Sequence, residues 1–256
     1  MRVLVTGASG HVARTVIPRL VTSGIQVVSY DLPTGDVLDA EHLKWHAQHL
    51  DACIHLAGLK YADRAEYEPL PTVEVNVQGT ANVVEAFGPR VVLASTCKAA
   101  DPETVYGSSK LIAERIVLCA GGRVVRFVNV LGSRGSVTDI WAAVDGPLPV
   151  CNALRLFISD EEAAELITEA INWPTGRYGP RFPRSAWMHE IGYELYPDRE
   201  QINIPLRRGD RREERLCAAC ERAEKWSENV VRIVGQHDPR EETQKQCPSP
   251  LQSIAS

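Results

Sequence analysis

Arg2-Val3-Leu4-Val5-Thr6-Gly7-Ala8-Ser9-Gly10-His11-Val12-Ala13 decides the fold. The apolar run Arg2 to Val5 reads as a short strand, and Val16, Ile17, Leu20 and Val21 recur at helical spacing just beyond it. Between strand and helix stands G-x-x-G-x-x-A. Glycine permits the tight turn and lets backbone N–H groups approach a pyrophosphate at the helix N-terminus, while a small Ala13 keeps helix and strand close. Gly7, Ser9, Gly10, His11 and Val12 are therefore expected to line a dinucleotide.

The punctuation continues outward. Gly24 ends the helix, and Ile25 to Tyr30 reads as a second strand closing on Asp31. An acid about 20 residues past the glycines fits hydrogen bonding to an adenosine ribose. No Lys or Arg follows Asp31 until Lys44, so a 2′-phosphate would meet a carboxylate, and the cofactor is expected to be NAD and not NADP. The plainer reading of Asp31 is a surface acid capping the turn at Pro33-Thr34-Gly35. Asp36, followed by Val37, is placed to accept from the adenine amino group or to cap a helix over 40–48. Asp51 to Gly58 is a further strand with its exit, and Leu56, Ala57 and Gly58 are expected at the cofactor edge. A long helix is predicted over 72–87 and carries Asn76, another cofactor candidate. Alternating strands and helices imply right-handed crossovers and an α/β fold, a doubly wound parallel Rossmann sheet.

A second informative stretch is Ser95-Thr96-Cys97-Lys98-Ala99-Ala100-Asp101-Pro102-Glu103-Thr104-Val105-Tyr106-Gly107-Ser108-Ser109-Lys110. It follows the apolar run 90–94 and enters a helical pattern. Tyr106 and Lys110, four apart, share one face of a helix. An ammonium beside a phenol favours the phenolate. A hydroxyl from Ser95 or Thr96 at the strand end then holds a substrate oxygen. Together these make a base that removes an alcohol proton while a hydride leaves the same carbon. Y-x-x-x-K alone is common by chance, and it gains weight from the glycine turn upstream.

Composition excludes some classes. The chain has 256 residues, 24% charged, with a formal net charge of −5. That speaks against a general nucleic-acid binder. The charged run 207–215 is basic but interleaved with acids, enough for one anionic ligand. The opening residues read as a strand and not a signal peptide, and no apolar run is long enough to span a membrane. Seven scattered cysteines suit free thiols in the cytoplasm. Cys217 and Cys220 form a C-x-x-C without a second pair at zinc spacing, so no metal is expected.

After Gly132 the pattern turns irregular and rich in proline and glycine. Residues 1–131 are read as the dinucleotide domain, joined by returning segments from the C-terminal part. Residues 132–235 are read as a small α+β substrate lobe, and 236–256 as a disordered tail. Helices are predicted near 161–171, over 186–195 and finally over 212–234.

These stretches resemble an extended short-chain dehydrogenase/reductase acting on nucleotide sugars, and more narrowly the polysaccharide-biosynthesis branch containing inverting UDP-N-acetylglucosamine dehydratases and related epimerases. The likeness rests on T-G-A-S-G-H-V-A, on His55-Leu56-Ala57-Gly58-Leu59-Lys60 with Asn76-Val77-Gln78-Gly79-Thr80, and on S-T-C-K-A…Y-G-S-S-K. It rests further on Val125 to Val137, and more weakly on Arg207-Arg208-Gly209-Asp210-Arg211. The resemblance implies that Tyr106 takes the proton from the carbon-4 hydroxyl of a UDP-N-acetylhexosamine and that Lys110 tunes it and holds the nicotinamide ribose. It implies that Thr96 bonds the resulting ketone and that NAD is borrowed and returned. Lys60, Asn129, Ser136, Arg155 and Arg207 are the implied UDP-sugar contacts, Ser95 lies at the cofactor edge, and a homo-oligomer is implied through the Asn76 and Leu111 helices.

One position departs from the pattern. The branch has S-T-D-K-A, in which the Lys removes the carbon-5 proton and the Asp helps the carbon-6 hydroxyl leave as water. Here Lys98 is kept and Cys97 replaces the Asp. Cys97 is then a working acid, an inert bystander that leaves epimerisation, or the mark of a degraded site. The retained Lys98 tilts the expectation toward dehydration. A non-catalytic dinucleotide sensor of the same fold is the alternative, and it has no use for a tuned phenol.

Overall fold

The computed structural model describes residues 1–133, 136–207 and 209–235. The first half alternates strands and helices: β1 (Arg2–Thr6), α1 (Ala13–Thr22), β2 (Gln26–Tyr30), α2 (Ala40–Ala47), β3 (Ala52–His55), α3 (Ala62–Tyr67), α4 (Pro69–Val73), α5 (Gly79–Phe87), β4 (Val91–Thr96), α6 (Val105–Cys119) and β5 (Arg123–Phe127). Then come β6 (Asn129–Val130), α7 (Val137–Ala143), β7 (Leu148–Cys151), β8 (Leu154–Ile158), α8 (Asp160–Glu169), β9 (Gly176–Pro180), β10 (Arg184–Trp187), α9 (Met188–Leu195), β11 (Gln201–Ile204), β12 (Glu221–Lys225) and β13 (Val230–Gly235).

Among the described residues the main sheet runs β12-β13-β9-β5-β4-β3-β1-β2. It is parallel from β2 through β9, and β13 and β12 add antiparallel at the far edge. The chain reverses its winding between β1 and β3, the switch point where α/β sheets open a ligand crevice. The expected doubly wound α/β sheet is therefore present.

Strand alternation sorts the core into two layers. Val3 and Val5 of β1 pack with Val16 and Leu20 of α1 and with Ala163 and Ile167 of α8. Leu4, between them, faces the opposite layer with Leu43 of α2, Val83 and Phe87 of α5, and Val117 of α6. Gly7, at φ +66°, carries the chain out of β1, and a Cβ there would stand 2.7 Å from the Ala57 backbone nitrogen. Only glycine allows the two strand exits to touch.

Two predicted helices differ from what forms. Residues 69–87 are continuous helix, starting earlier than expected at Pro69 and widening to a π turn over Glu74–Gln78 around Asn76. The helix predicted over 212–234 is absent. Glu221–Lys225 and Val230–Gly235 form a hairpin instead, and Val230 to Ile233 pairs with β9. The β-branched Val230, Val231 and Ile233 meet an unpaired sheet edge, and the ladder outweighs a weak helical pattern. The helices near 161–171 and 186–195 form at Asp160–Glu169, extended by a 3-10 turn to Asn172, and at Met188–Leu195.

Beyond β5, the sheets β10-β8-β6 and β11-β7 pack around Trp141, Leu148, Phe157, Met188 and Ile191. The segments that return to the main sheet are β9, β12 and β13. The tail expected over 236–256 lies outside the described residues, as do Arg134, Gly135 and Arg208.

Candidate active site

Four strand ends, those of β1, β2, β3 and β4, meet at the carboxyl edge of the sheet. β1 delivers the Gly7 turn, and Gly10 N donates to Gly7 O at 2.9 Å, closing it ahead of α1. β2 ends in Asp31. Its Oδ2 accepts from the Ser9 backbone N at 2.8 Å and from the Ser9 hydroxyl at 2.5 Å, so this carboxylate holds the glycine turn. Its Oδ1 accepts from Leu32 N. Asp36 accepts from Leu38 N, while the cap of α2 is Asp39, which accepts from His42 N. Val37 is buried against the position where Gly79 has no Cβ. His11 stands 2.8 Å from Asp160 at the start of α8, tying the turn to the second helix of its layer.

β3 ends in a buried polar chain. His55 Nδ1 lies 2.7 Å from Thr6 Oγ1, and Nε2 lies 3.1 Å from Thr80 Oγ1. The Thr80 hydroxyl gives its proton to Asn76 O at 2.7 Å, so it must accept from Nε2–H. Burial holds the imidazole neutral, its pKa down to about 3, with the Lys110 charge adding to the effect. Asn76 spends its amide on structure: Oδ1 accepts from Leu59 N, and Nδ2 donates to Leu59 O and to Ser109 Oγ. It joins the loop bearing Leu56, Ala57, Gly58 and the exposed Lys60 to α6, and it positions that loop.

The chemistry-bearing groups gather where β4 runs into α6. Thr104 caps α6, accepting from Gly107 N at 3.0 Å. A Cβ on Gly107 would stand 2.4 Å from Lys98 O, so this glycine lets the helix press onto the Cys97-Lys98-Ala99 turn. Thr96 ends β4 and Tyr106 stands in the first turn of α6, and Lys98 lies near enough to act on the phenol. Burial raises the Tyr106 pKa, with Cys97 adding to the rise, while the Lys98 charge and, less, the nearby Thr96 hydroxyl pull it back. Lys98 is thus a lysine acting on the phenol that the Tyr106–Lys110 spacing did not point to. Lys110 Nζ instead lies 3.9 Å from where a Gly58 Cβ would stand, at the β3 exit. Burial lowers its pKa to about 8 against the opposing pull of Glu114.

Ser95, expected at the cofactor edge, is turned the other way. Alternation puts it on the α6 side of β4, where its hydroxyl donates to Glu114 at 2.6 Å. Cys97 is buried, and burial raises its thiol pKa to about 11, with Glu214 adding to the rise. It holds its proton tightly and is a weak acid.

Lys98 Nζ donates to Glu214 Oε1 at 2.9 Å. Cys97, Lys98, Arg155, Asp210, Arg211 and Glu214 line a cavity at the turn that follows β4. Asn129 is drawn into the same cluster through Glu214, and Arg155 reaches Arg211 O at 2.8 Å. Arg207 pairs with Asp210 on the surface, and Ser136 caps α7. Glu214 escaped the sequence reading, and Arg211 entered it only as the last residue of a weak motif. The signal was present in the acids inside the charged run 207–215, which reads as basic by count.

Among the described residues no group of His, Cys, Asp and Glu is arranged to hold a metal, and Cys217 and Cys220 are free thiols. No helix of the described residues is long and apolar enough to cross a membrane. The edge at Gly7, Ser9, Asp31 and Gly58 fits a dinucleotide, with a glycine-bounded turn opening α1 and a carboxylate at the end of β2.

Comparison with known proteins agrees. A family model described as polysaccharide biosynthesis protein matches residues 26–179. The inverting UDP-N-acetylglucosamine 4,6-dehydratase of Campylobacter jejuni is 29% identical over 198 residues, covering 69% of this chain and 59% of that protein. A protein of Methanocaldococcus jannaschii known as an uncharacterized membrane protein is 37% identical over 154 residues, 53% of this chain and 46% of its own length. The chain thus spans about half the length of such curated relatives. Among solved structures, MoeE5 in complex with UDP-glucose and NAD superposes with a TM-score of 0.72 at 25% identity, covering 83% of this chain and 88% of that one.

Proposed function

The chain belongs to the polysaccharide biosynthesis protein family, and on that premise we propose that it is an NAD-dependent nucleotide-sugar dehydratase or epimerase that oxidises carbon 4 of a UDP-N-acetylhexosamine. The observation that carries the reading is the meeting of Thr96, Lys98 and Tyr106 where β4 runs into α6, with Gly107 pressed onto Lys98 O, at the sheet edge where the Gly7 turn opens. Tyr106 takes the hydroxyl proton as the carbon–hydrogen electron pair departs. The Lys98 charge favours the phenolate that receives it, and Thr96 remains to bond the new carbonyl oxygen. Bound NAD supplies the hydride acceptor. Gly7, Ser9, Gly10, Asp31 and Gly58 hold it, and Lys110 serves its ribose. Arg155 and Arg207, on the lobe side, suit the substrate diphosphate.

The buried thiol at Cys97 favours a second reading, epimerisation without loss of water, since a tightly held proton helps a leaving hydroxyl poorly. An oligomer through α4, α5 and α6 is part of the proposal, and the exposed Leu70, Val73 and Ile112 support it.

The test is incubation with UDP-N-acetylglucosamine and NAD in heavy water, read by mass spectrometry and proton NMR. Loss of one water with deuterium gained at carbon 5 means dehydration. Inverted coupling at carbon 4 with no covalent loss means epimerisation. Unchanged sugar across UDP-N-acetylhexosamines, with NAD bound, would overturn the enzymatic reading in favour of a dinucleotide sensor.

A further inference from the structure

Glu214 reaches the turn after β4 from 116 residues away in the chain. The segment that carries it lies along β8, with Leu154 N donating to Arg212 O at 2.7 Å and Glu214 N to Leu154 O at 3.2 Å. Arg211 pins the same segment to the 97–104 turn, donating to Glu103 and to Ala100 O, both at 2.8 Å. Both oxygens of Glu214 are engaged. Oε1 accepts from Lys98 Nζ at 2.9 Å, with Arg155 Nε at 3.6 Å. Oε2 accepts from Asn129 Nδ2 at 2.5 Å and from Leu156 N at 3.2 Å. Its side chain is 7% exposed and that of Lys98 is 27% exposed. The turn after β4, β6 and β8 thus converge on one carboxylate, next to the position where the family pattern has an acid and this chain has a buried thiol.

We propose that Glu214 is the positioning residue of Lys98, fixing its ammonium at the cavity wall and keeping it charged, in place of the carboxylate absent at Cys97. The proposal rests on reading this site as the oxidation centre and deepens that reading. Glu214, Cys97 and Tyr106 act on the Lys98 charge, and Arg155, Arg211, Arg215, Glu103 and Asp210 line the same cavity. Burial works against the lysine charge, and Glu214 outweighs it, so the Lys98 pKa is raised. Burial likewise opposes the Glu214 charge, and Lys98 and Arg155 outweigh it, so the carboxylate stays ionised. Lys98 therefore meets a bound sugar as a charged hydrogen-bond donor and as the cation that steadies the Tyr106 phenolate. It becomes a base for a carbon-5 proton only when Glu214 lets go.

The test is NMR of the full chain labelled with ε-13C lysine, the Lys98 signal being assigned through K98R. The wild-type Lys98 midpoint is expected above the ordinary ~10.4. In Glu214→Gln it is expected to fall by about 1–3 pH units, the shift that losing a close opposite charge brings, with far-UV circular dichroism unchanged. A wild-type midpoint at or below the ordinary value overturns the proposal, and so does a folded E214Q that titrates like wild type. If E214Q does not fold, the wild-type titration decides alone. No turnover is needed, so a failed product assay in heavy water would remove the enzymatic reading and leave this measurement intact.

Discussion

Two buried ionic clusters sit on either side of the Tyr106 helix, and they differ in what they leave open. Behind α6, Glu114, Glu221, Arg126 and Arg177 form a closed square of two acids and two bases. Arg126 binds Glu114 at 2.8 Å and Glu221 at 2.5 Å, and Arg177 binds the same two at 2.8 Å and 3.1 Å. Ser95 Oγ and the Ala218 backbone N donate to remaining acceptor sites, and all four side chains are 2% exposed or less. In front, Lys98 and Glu214 pair with similar geometry but on a cavity wall. The first cluster spends every charge on holding β12, β9 and β5 to α6. The second keeps an ammonium facing the space beside Tyr106. Burial decides which pair is architecture and which is available to chemistry.

The largest expected effect comes from breaking the closed square. Glu114→Gln leaves Arg126 and Arg177 to share Glu221, a net buried cation. Removing one partner of a buried pair typically costs about 3–5 kcal/mol. Urea unfolding is expected to show a midpoint loss of that size, or a protein that no longer folds. A midpoint within about 1 kcal/mol of wild type would mean that water reaches the square and that the two clusters are alike, since surface pairs are worth that little.

Tyr106→Phe is expected to invert that outcome. The phenol belongs to the open side, so its loss should leave the urea midpoint and NAD binding nearly unchanged. Turnover of the sugar nucleotide should fall by about 10²–10⁴-fold, the usual worth of a positioned acid–base group. Unfolding of Y106F would break the comparison, because the Tyr106 hydroxyl would then belong to the architecture.

The contrast also explains what was legible in the sequence. The Gly7 turn, the end of β2 at Asp31 and the Tyr106–Lys110 spacing are local patterns, each complete within a dozen residues, and they yield the sheet and its carboxyl edge. Contacts between distant segments left no such trace. Ser95 was misplaced because alternation along β4, and not proximity to Thr96, decides which layer it faces. Glu214 was missed because its partner lies 116 residues away. The hairpin at 221–235 read as helix because its charged face hid the β-branched run that a sheet edge selects. The influence of Lys98 on the phenol was missed, since helical spacing says nothing of what the turn after β4 brings near Tyr106.

A smaller effect sharpens the comparison with a third buried polar group, one that carries no charge. His55 is held neutral between Thr6 and Thr80, its pKa lowered to about 3 by burial, with the nearby Lys110 charge second. In the unfolded chain an imidazole titrates near ~6.5. Below that pH the unfolded state takes up a proton that the native state refuses, so His55 stabilises fully above ~6.5 and progressively less as pH falls toward about 3. The slope is about 1.4 kcal/mol per pH unit. Urea midpoints measured from pH 6.5 down to 4 should therefore decline more steeply in wild type than in His55→Gln, which cannot titrate there. Parallel declines would mean that His55 protonates in the folded protein, and that the Thr6–His55–Thr80 chain joining β1, β3 and α5 opens to water far more readily than the charged square does.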